Sequence, residues 1–202
     1  MFLPTTMDEV KKLGWKQLDI ILVSGDTYID TSYNGTAIVG KWLYKHGFKV
    51  GIIAQPNIDD DSDITRLGEP KLYWGISGGC VDSMVANYTA TKKKRRTDDF
   101  TPGGENNKRP DRAVIVYTNL IRRFFKNSPI PIVISGIESS LRRITHYDYW
   151  SNSLRRPIVF DAKADIISYG MGEKSMLQLA NALKNNTPWE DIRGLCYISK
   201  EE

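Results

Sequence analysis

Cysteine and histidine are almost missing from this chain, with two of each in 202 residues. Cys80 and Cys196 stand far apart, with no neighbours at metal-ligand spacing. A disulfide framework needs more cysteines, a structural zinc needs four closely paired ligands, and an iron–sulfur cluster normally needs three or four thiolates. None of these is built from this chain alone, and no metal site is expected. Nor does any apolar run approach the ~20 residues of a membrane span. Met1-Phe2-Leu3-Pro4 has neither the charged nor the apolar part of a signal peptide. The expectation is a reduced, cytoplasmic protein with no membrane contact. A general excess of positive charge is lacking too. The formal charge of +4 comes from 28 Lys and Arg against 24 Asp and Glu, and five of those cations are consecutive, Lys92 to Arg96. Without them the balance is 23 against 24. That excludes a nucleic-acid-coating protein with cations spread over a face.

What is present reads as one globular domain, 41% apolar and 26% charged, long enough to bury roughly 70% of its unfolded surface. Thr6-Met7-Asp8-Glu9 predicts a capping box opening a short helix to about Lys16. Asp19 to Val23 is a strand apolar throughout, as suits a strand covered on both faces. Further strands are expected at residues 50–54, 72–76, 130–134 and 164–169. Helices are expected at residues 35–46 with Gly47 at C′, near 82–88, from a cap at Asp111 to Phe125, and over 172–184. Residues 87–112 carry few apolar side chains, five adjacent like charges, Pro102, Gly103, Gly104 and Pro110. Composition predicts a long polar loop there, the most mobile internal segment.

Alternating strands and helices imply an α/β fold, doubly wound, with a mainly parallel five-stranded sheet of flavodoxin-like type and helices on both faces. Glycine-bearing turns follow four strands, at Gly25-Asp26, Gly75-Ile76-Ser77-Gly78-Gly79, Gly136-Ile137-Glu138 and Gly170-Met171-Gly172-Glu173. All four belong on the carboxyl rim, where ligands of such sheets gather. The rim candidates are Asp26, Asp30, Ser77, Gly78, Gly79, Asp82, Glu138, Arg142, Arg143, His146, Asp148 and Glu173. The Gly75–Gly79 turn suits an anion cradle or simply a tight turn; it lacks a P-loop lysine. Glu173 at a helix start repels phosphate and suits hydroxyl or amine recognition, or only the helix dipole. Arg142, Arg143, Arg155 and Arg156 are the nearest partners in sequence for the carboxylates. His146 is a candidate proton donor or acceptor, with Asp148 to orient it; the plainer reading is a loop pinned by ion pairs and rings. No nucleophile stands in a triad context, and no residue is assigned as catalytic. The cation run 92–96 is either a solvated loop, a contact to an acidic neighbouring domain, or the phosphate contact of a nucleotide- or RNA-binding module. Aromatic interleaving beside it is thin, with Tyr88 and Phe100 only.

Several motifs together resemble a known family. They are Gly25-Asp26-Thr27-Tyr28-Ile29-Asp30, Asp82-Ser83-Met84-Val85, Tyr88-Thr89-Ala90, Thr101-Pro102-Gly103-Gly104 and Arg109-Pro110-Asp111-Arg112-Ala113. Gly136-Ile137-Glu138, Ser140-Leu141-Arg142-Arg143, His146-Tyr147-Asp148-Tyr149-Trp150-Ser151 and Tyr169-Gly170-Met171-Gly172-Glu173 complete the set. The chain resembles the N-terminal domain of the YgiQ-like radical S-adenosylmethionine proteins from Met1 to about Leu195. The resemblance implies a domain over 1–195, with 196–202 beginning a linker to a C-terminal radical domain. That domain carries a CxxxCxxC motif, a 4Fe–4S cluster and S-adenosylmethionine. The present chain would then be an accessory, substrate-presenting domain, not catalytic alone, for a small-molecule or macromolecular substrate. It is also similar to cobalamin-binding domains. The Asp-x-His-x-x-Gly element that supplies a cobalt ligand there is missing, since Asp26 is followed by Tyr28, Asp30 and Thr31. Cobalamin is therefore the lesser alternative, and no cofactor is expected in this chain.

Overall fold

The computed structural model describes residues 2–29 and 34–199. Asp30 and Thr31 therefore lie outside the described residues. The first helix, α1 (Met7–Lys12), has the expected capping box: the Thr6 hydroxyl accepts from the Glu9 amide while the Glu9 carboxylate reaches back to the Thr6 amide. Strands β1 (Ile20–Ser24), β2 (Val50–Ala54), β3 (Tyr73–Ser77), β4 (Ile132–Ser135) and β7 (Ile166–Ser168) are parallel, in the order β2-β1-β3-β4-β7. β1 is buried along its whole length. Its alternate side chains feed two cores. Ile21 and Val23 point to the face covered by α1, α4 (Ala113–Phe124) and α6 (Ile158–Ala162). Ile20 and Leu22 point to the face covered by α2 (Gly35–Lys45) and α7 (Glu173–Asn185). At roughly 1.5–3 kcal/mol for each fully buried aliphatic side chain, these two layers are the main stabilising term.

The sheet has six strands, not five. β8 (Leu195–Tyr197) pairs antiparallel with β7 through Ile167↔Cys196. Residues 195–197, which the sequence reading divides between domain and linker, form one edge strand. Its three residues are too few to show a period. Two further short helices, α3 (Ser83–Asn87) and α5 (Gly136–Leu141), start at the carboxyl rim, and an antiparallel hairpin joins β5 (His146–Asp148) to β6 (Ser153–Arg155).

The polar stretch 87–112 is pinned rather than loose. The side chain of Arg109 is fully buried, and Asp98 and Thr101 are nearly so. Tyr88 bridges Lys94, Thr97 bridges Glu105, and Thr27 donates its amide to the Phe100 carbonyl. Counting apolar residues misses this segment because what it buries is charge matched with charge. The α4 cap differs as well. Asp111 accepts from the Asn87 amide group and the Tyr88 hydroxyl. Arg112, in the left-handed region, occupies the N-cap position without a side-chain cap. The orphan amides of Ala113 and Val114 are taken instead by the Ser83 hydroxyl and the Glu138 carboxylate, so distant residues do what a local cap does elsewhere.

Candidate functional site

The strand order reverses between β1 and β3, the crevice where such sheets bind ligands. A cleft of about 380 Å³ opens there, within the size of small-molecule sites. Leu22, Gly75 and Met176 are among its apolar lining residues, and the first residues of α2 and α7 also border it. Gly75 keeps it open, because a Cβ at that position would run into Leu22 and approach Met176. Of the candidates from sequence, Asp26, Ser77, Gly79 and Glu173 line this cleft, and Cys80 joins them.

The other candidates form a polar lattice beside the cleft. Arg109 is its centre: Nη2 lies 2.7 Å from Asp26 Oδ1 and 3.3 Å from Asp98 Oδ2, and Nη1 donates to the Gly78 carbonyl at 2.7 Å. Asp26 Oδ1 meets the guanidinium as a charge contact, not as an aligned hydrogen bond. Its Oδ2 accepts from the Cys80 amide at 2.6 Å. Burial alone would favour the neutral form of Arg109, but the two aspartates outweigh it and raise its pKa. Gln55 ties the layers together, donating from Nε2 to the Gly25 carbonyl and the Thr101 hydroxyl. Asp82 caps α3 and pairs with Arg142. Asp148 pairs with Arg112 at 2.6 Å and accepts from Ser151. Burial pushes its pKa upward, and the Ser151 and Arg112 contacts more than reverse that, holding the carboxyl well below its usual range.

Glu138 is buried and accepts from the Ser83 amide at 3.0 Å and the Val114 amide at 3.3 Å, joining the starts of α3 and α4. Burial, then the neighbouring Asp82 charge, raises its pKa. A carboxyl with a raised native pKa loses stabilising effect as pH climbs through its unfolded value, because only the unfolded chain then releases the proton freely. Glu138→Gln removes that titration. The deficit of the variant relative to the parent should therefore shrink between pH 4.5 and pH 8 in urea unfolding. A deficit that widens with pH contradicts the assignment.

Arg143 lies over the Tyr169 ring, 5.0 Å from its centroid, and donates to the Ser140 carbonyl. His146 is on the β5–β6 hairpin, outside the lining of the cleft, with Nδ1 3.0 Å from the Ile144 carbonyl and Nε2 buried without a hydrogen bond. Arg155 and Arg156 both reach Asp161. Sequence reasoning missed Arg109, Arg112, Asp98 and Gln55. The available signal was two arginines in a segment too polar to need them for solubility.

The donor set does not suit an iron–sulfur cluster. Cys80 sits at the cleft, where burial and then the Asp26 charge push its thiol up to about 12, against thiolate ligation. Cys196 is on β8, at the other edge of the sheet from β2. Nor do the residues suit a histidine-ligated cobalt. His46 caps the C-terminal end of α2, and neither histidine lines the cleft. No group of three or more metal-ligating side chains occurs among the described residues.

Residues 2–202 match the family model described as radical SAM N-terminal. The chain is 74% identical over 200 residues to a UPF0313 protein of Fusobacterium nucleatum subsp. nucleatum, covering 99% of this chain and 35% of that protein. It is 56% identical over 205 residues to one from Thermotoga petrophila, covering 100% of this chain and 36% of that one. It thus spans about a third of the length of these curated relatives. Among solved structures it is similar in fold to TsrM from Kitasatospora setae, a radical S-adenosylmethionine methyltransferase. The structure with tryptophan and a SAM analogue bound gives a TM-score of 0.60 at 16% identity, over 90% of this chain and 28% of that one. The structure with cobalamin and a 4Fe–4S cluster gives 0.57 at 16% identity, over 90% and 27%.

Proposed function

We propose a role for this chain on the premise of its family, for it belongs to the radical SAM N-terminal family. It is the accessory domain of a radical S-adenosylmethionine enzyme. Its open cleft walls one side of the chamber in which the rest of the polypeptide, carrying the 4Fe–4S cluster and S-adenosylmethionine, acts on substrate. The observation that carries this is the cleft at the β1/β3 reversal. Its apolar floor is bordered by Asp26 and Glu173, and the lattice around Arg109 holds the nearby turns fixed. A preformed recess of this kind orients a ligand without supplying chemistry, so the chain alone is catalytically silent. Ser77, Gly79 and Glu173 are the residues that would meet substrate. Asp82, Glu138, Arg142 and Asp148 are positioning residues that hold the starts of the rim helices and the hairpin. His146 is given no role at the cleft in this reading, because it lies outside the cleft lining.

Hydrogen exchange tests it. In the full-length Fusobacterium relative, the positions that align with residues 76–82, 135–141 and 170–174 of this chain should exchange at least about tenfold more slowly than in its isolated N-terminal third, since docking must cover the rim. Protection confined to the outer faces of α1 and α4 would place the rest of the polypeptide elsewhere and end the proposal.

A further inference from the structure

The five cations 92–96 sit on a built hairpin tip. Thr89 donates its amide to the Lys93 carbonyl, Lys92 returns one to Thr89, and Arg95 donates to the Asn87 carbonyl, at 2.8 to 2.9 Å. Lys92 takes a left-handed φ of 61° to close the turn, a conformation that costs a non-glycine residue free energy. Arg95 is clamped by Nε to the carbonyls of Val85 and Tyr88. All five side chains are exposed, and Lys93, Lys94 and Arg96 form no ion pair among the described residues. The fold therefore holds like charges together at its surface instead of letting them spread or neutralising them.

Rings that sequence separates from this run by more than fifty positions are brought beside it. The Lys92 ammonium lies 4.6 Å from the centroid of the Tyr149 ring. The Tyr149 hydroxyl donates to the Ala90 carbonyl at 2.6 Å. Trp150 packs at 5.4 Å against both Tyr88 and Tyr149. Tyr149 is 48% exposed; Tyr147, two positions before it on the same hairpin, is 58% exposed, with its hydroxyl on Asn152. The nearby carboxylate of Asp111 is engaged by Tyr88 and Asn87.

We propose that the 88–96 tip and the β5–β6 hairpin together form a binding face for single-stranded RNA. The cations neutralise the phosphate backbone, and Tyr147 and Tyr149 take bases by stacking. Exposed rings beside a cation run favour a single strand over a duplex, whose bases are already stacked, and over a bare polyanion, which offers no π-face. The face is separate from the cleft, so its failure would leave the accessory role of the cleft untouched.

Fluorescence anisotropy of the 202-residue chain with labelled 12-nucleotide oligouridine and oligoadenosine in 50 mM salt is the test. Saturable micromolar binding is expected, with log K falling against log salt at a slope of about −3 for roughly four phosphates neutralised. The double change Lys93→Glu and Lys94→Glu should weaken it at least about tenfold. Tyr147→Ala should weaken it about fivefold or more, and Tyr149→Phe, which keeps the ring, should leave it unchanged. Thermal melts that match the parent exclude unfolding as the cause. The proposal is overturned by no binding, by equal affinity for heparin or an RNA duplex with no response to Tyr147→Ala, or by preferential binding of phosphatidylserine vesicles.

Discussion

Arg109→Leu should cost this domain about 3–5 kcal/mol of unfolding free energy, the range seen when one partner of a buried ion pair is removed. Total stabilities of ~5–15 kcal/mol make that a large fraction. Asp26 and Asp98 would be left as two buried carboxylates with no cation between them, and the Gly78 carbonyl would lose its donor. The loss arises from the stranded charges rather than from the bridge itself. Replacing all three together (Asp26→Asn, Asp98→Asn and Arg109→Leu) should therefore cost less than Arg109→Leu alone, a non-additivity expected of groups in direct contact. Arg109→Lys should fall between, because a single ammonium cannot reach both aspartates and the carbonyl with the geometry of a planar fork. Urea unfolding of the four proteins at pH 7 measures this. An Arg109→Leu cost below about 1 kcal/mol, the scale of an exposed pair, would mean the cluster is open to water.

That cluster also marks the boundary of what sequence shows. The parallel strands were legible because they are covered on both faces and so read as unbroken runs, Ile20 to Val23 and Val50 to Ala54. Helix α4 was legible from the spacing of Val114, Tyr117, Leu120 and Ile121, all buried. Thr6 and Glu9 announced their own cap. Residues 87–112 and 142–163 were not legible. Their order comes from pairings across long stretches of chain, Arg109 with Asp26 and Arg112 with Asp148, and no local periodicity encodes such a pairing. The same limit applies to the site. Topology alone put the candidates on a common rim; Asp26, Ser77, Gly79 and Glu173 line the cleft there, whereas Glu138, His146 and Asp148 do not. The choice of neutralising arginines by nearness in sequence was right for Arg142 with Asp82. Arg155 reaches the rim carboxylate Asp148 at 3.9 Å as well as Asp161, Arg156 pairs with Asp161 instead, and Arg109 was passed over. The ring-and-cation face was invisible for the same reason, since Tyr149 and Lys92 meet only in the folded chain.

Gly79→Ala should be about as damaging as Arg109→Leu, for two separable reasons. Gly79 has φ of 116°, and a methyl group there would overlap both the Asp26 carboxylate and the Arg109 guanidinium. The backbone strain alone is about 1–3 kcal/mol; driving the buried pair apart adds a cost of the kind described for Arg109, so a loss of at least about 3 kcal/mol is expected. Gly103→Ala isolates the first component. Gly103 has φ of 82°, but nothing lies within 4 Å of where its Cβ would stand, so only the backbone strain should register. Urea midpoints of the two variants then measure how much of the rim depends on the close fit of glycine against an ion pair. Equal losses would show that the Asp26–Arg109 pair yields freely to a methyl group. A larger loss at Gly79 would show that it does not, and would account for a glycine where the lining of the cleft meets the polar lattice.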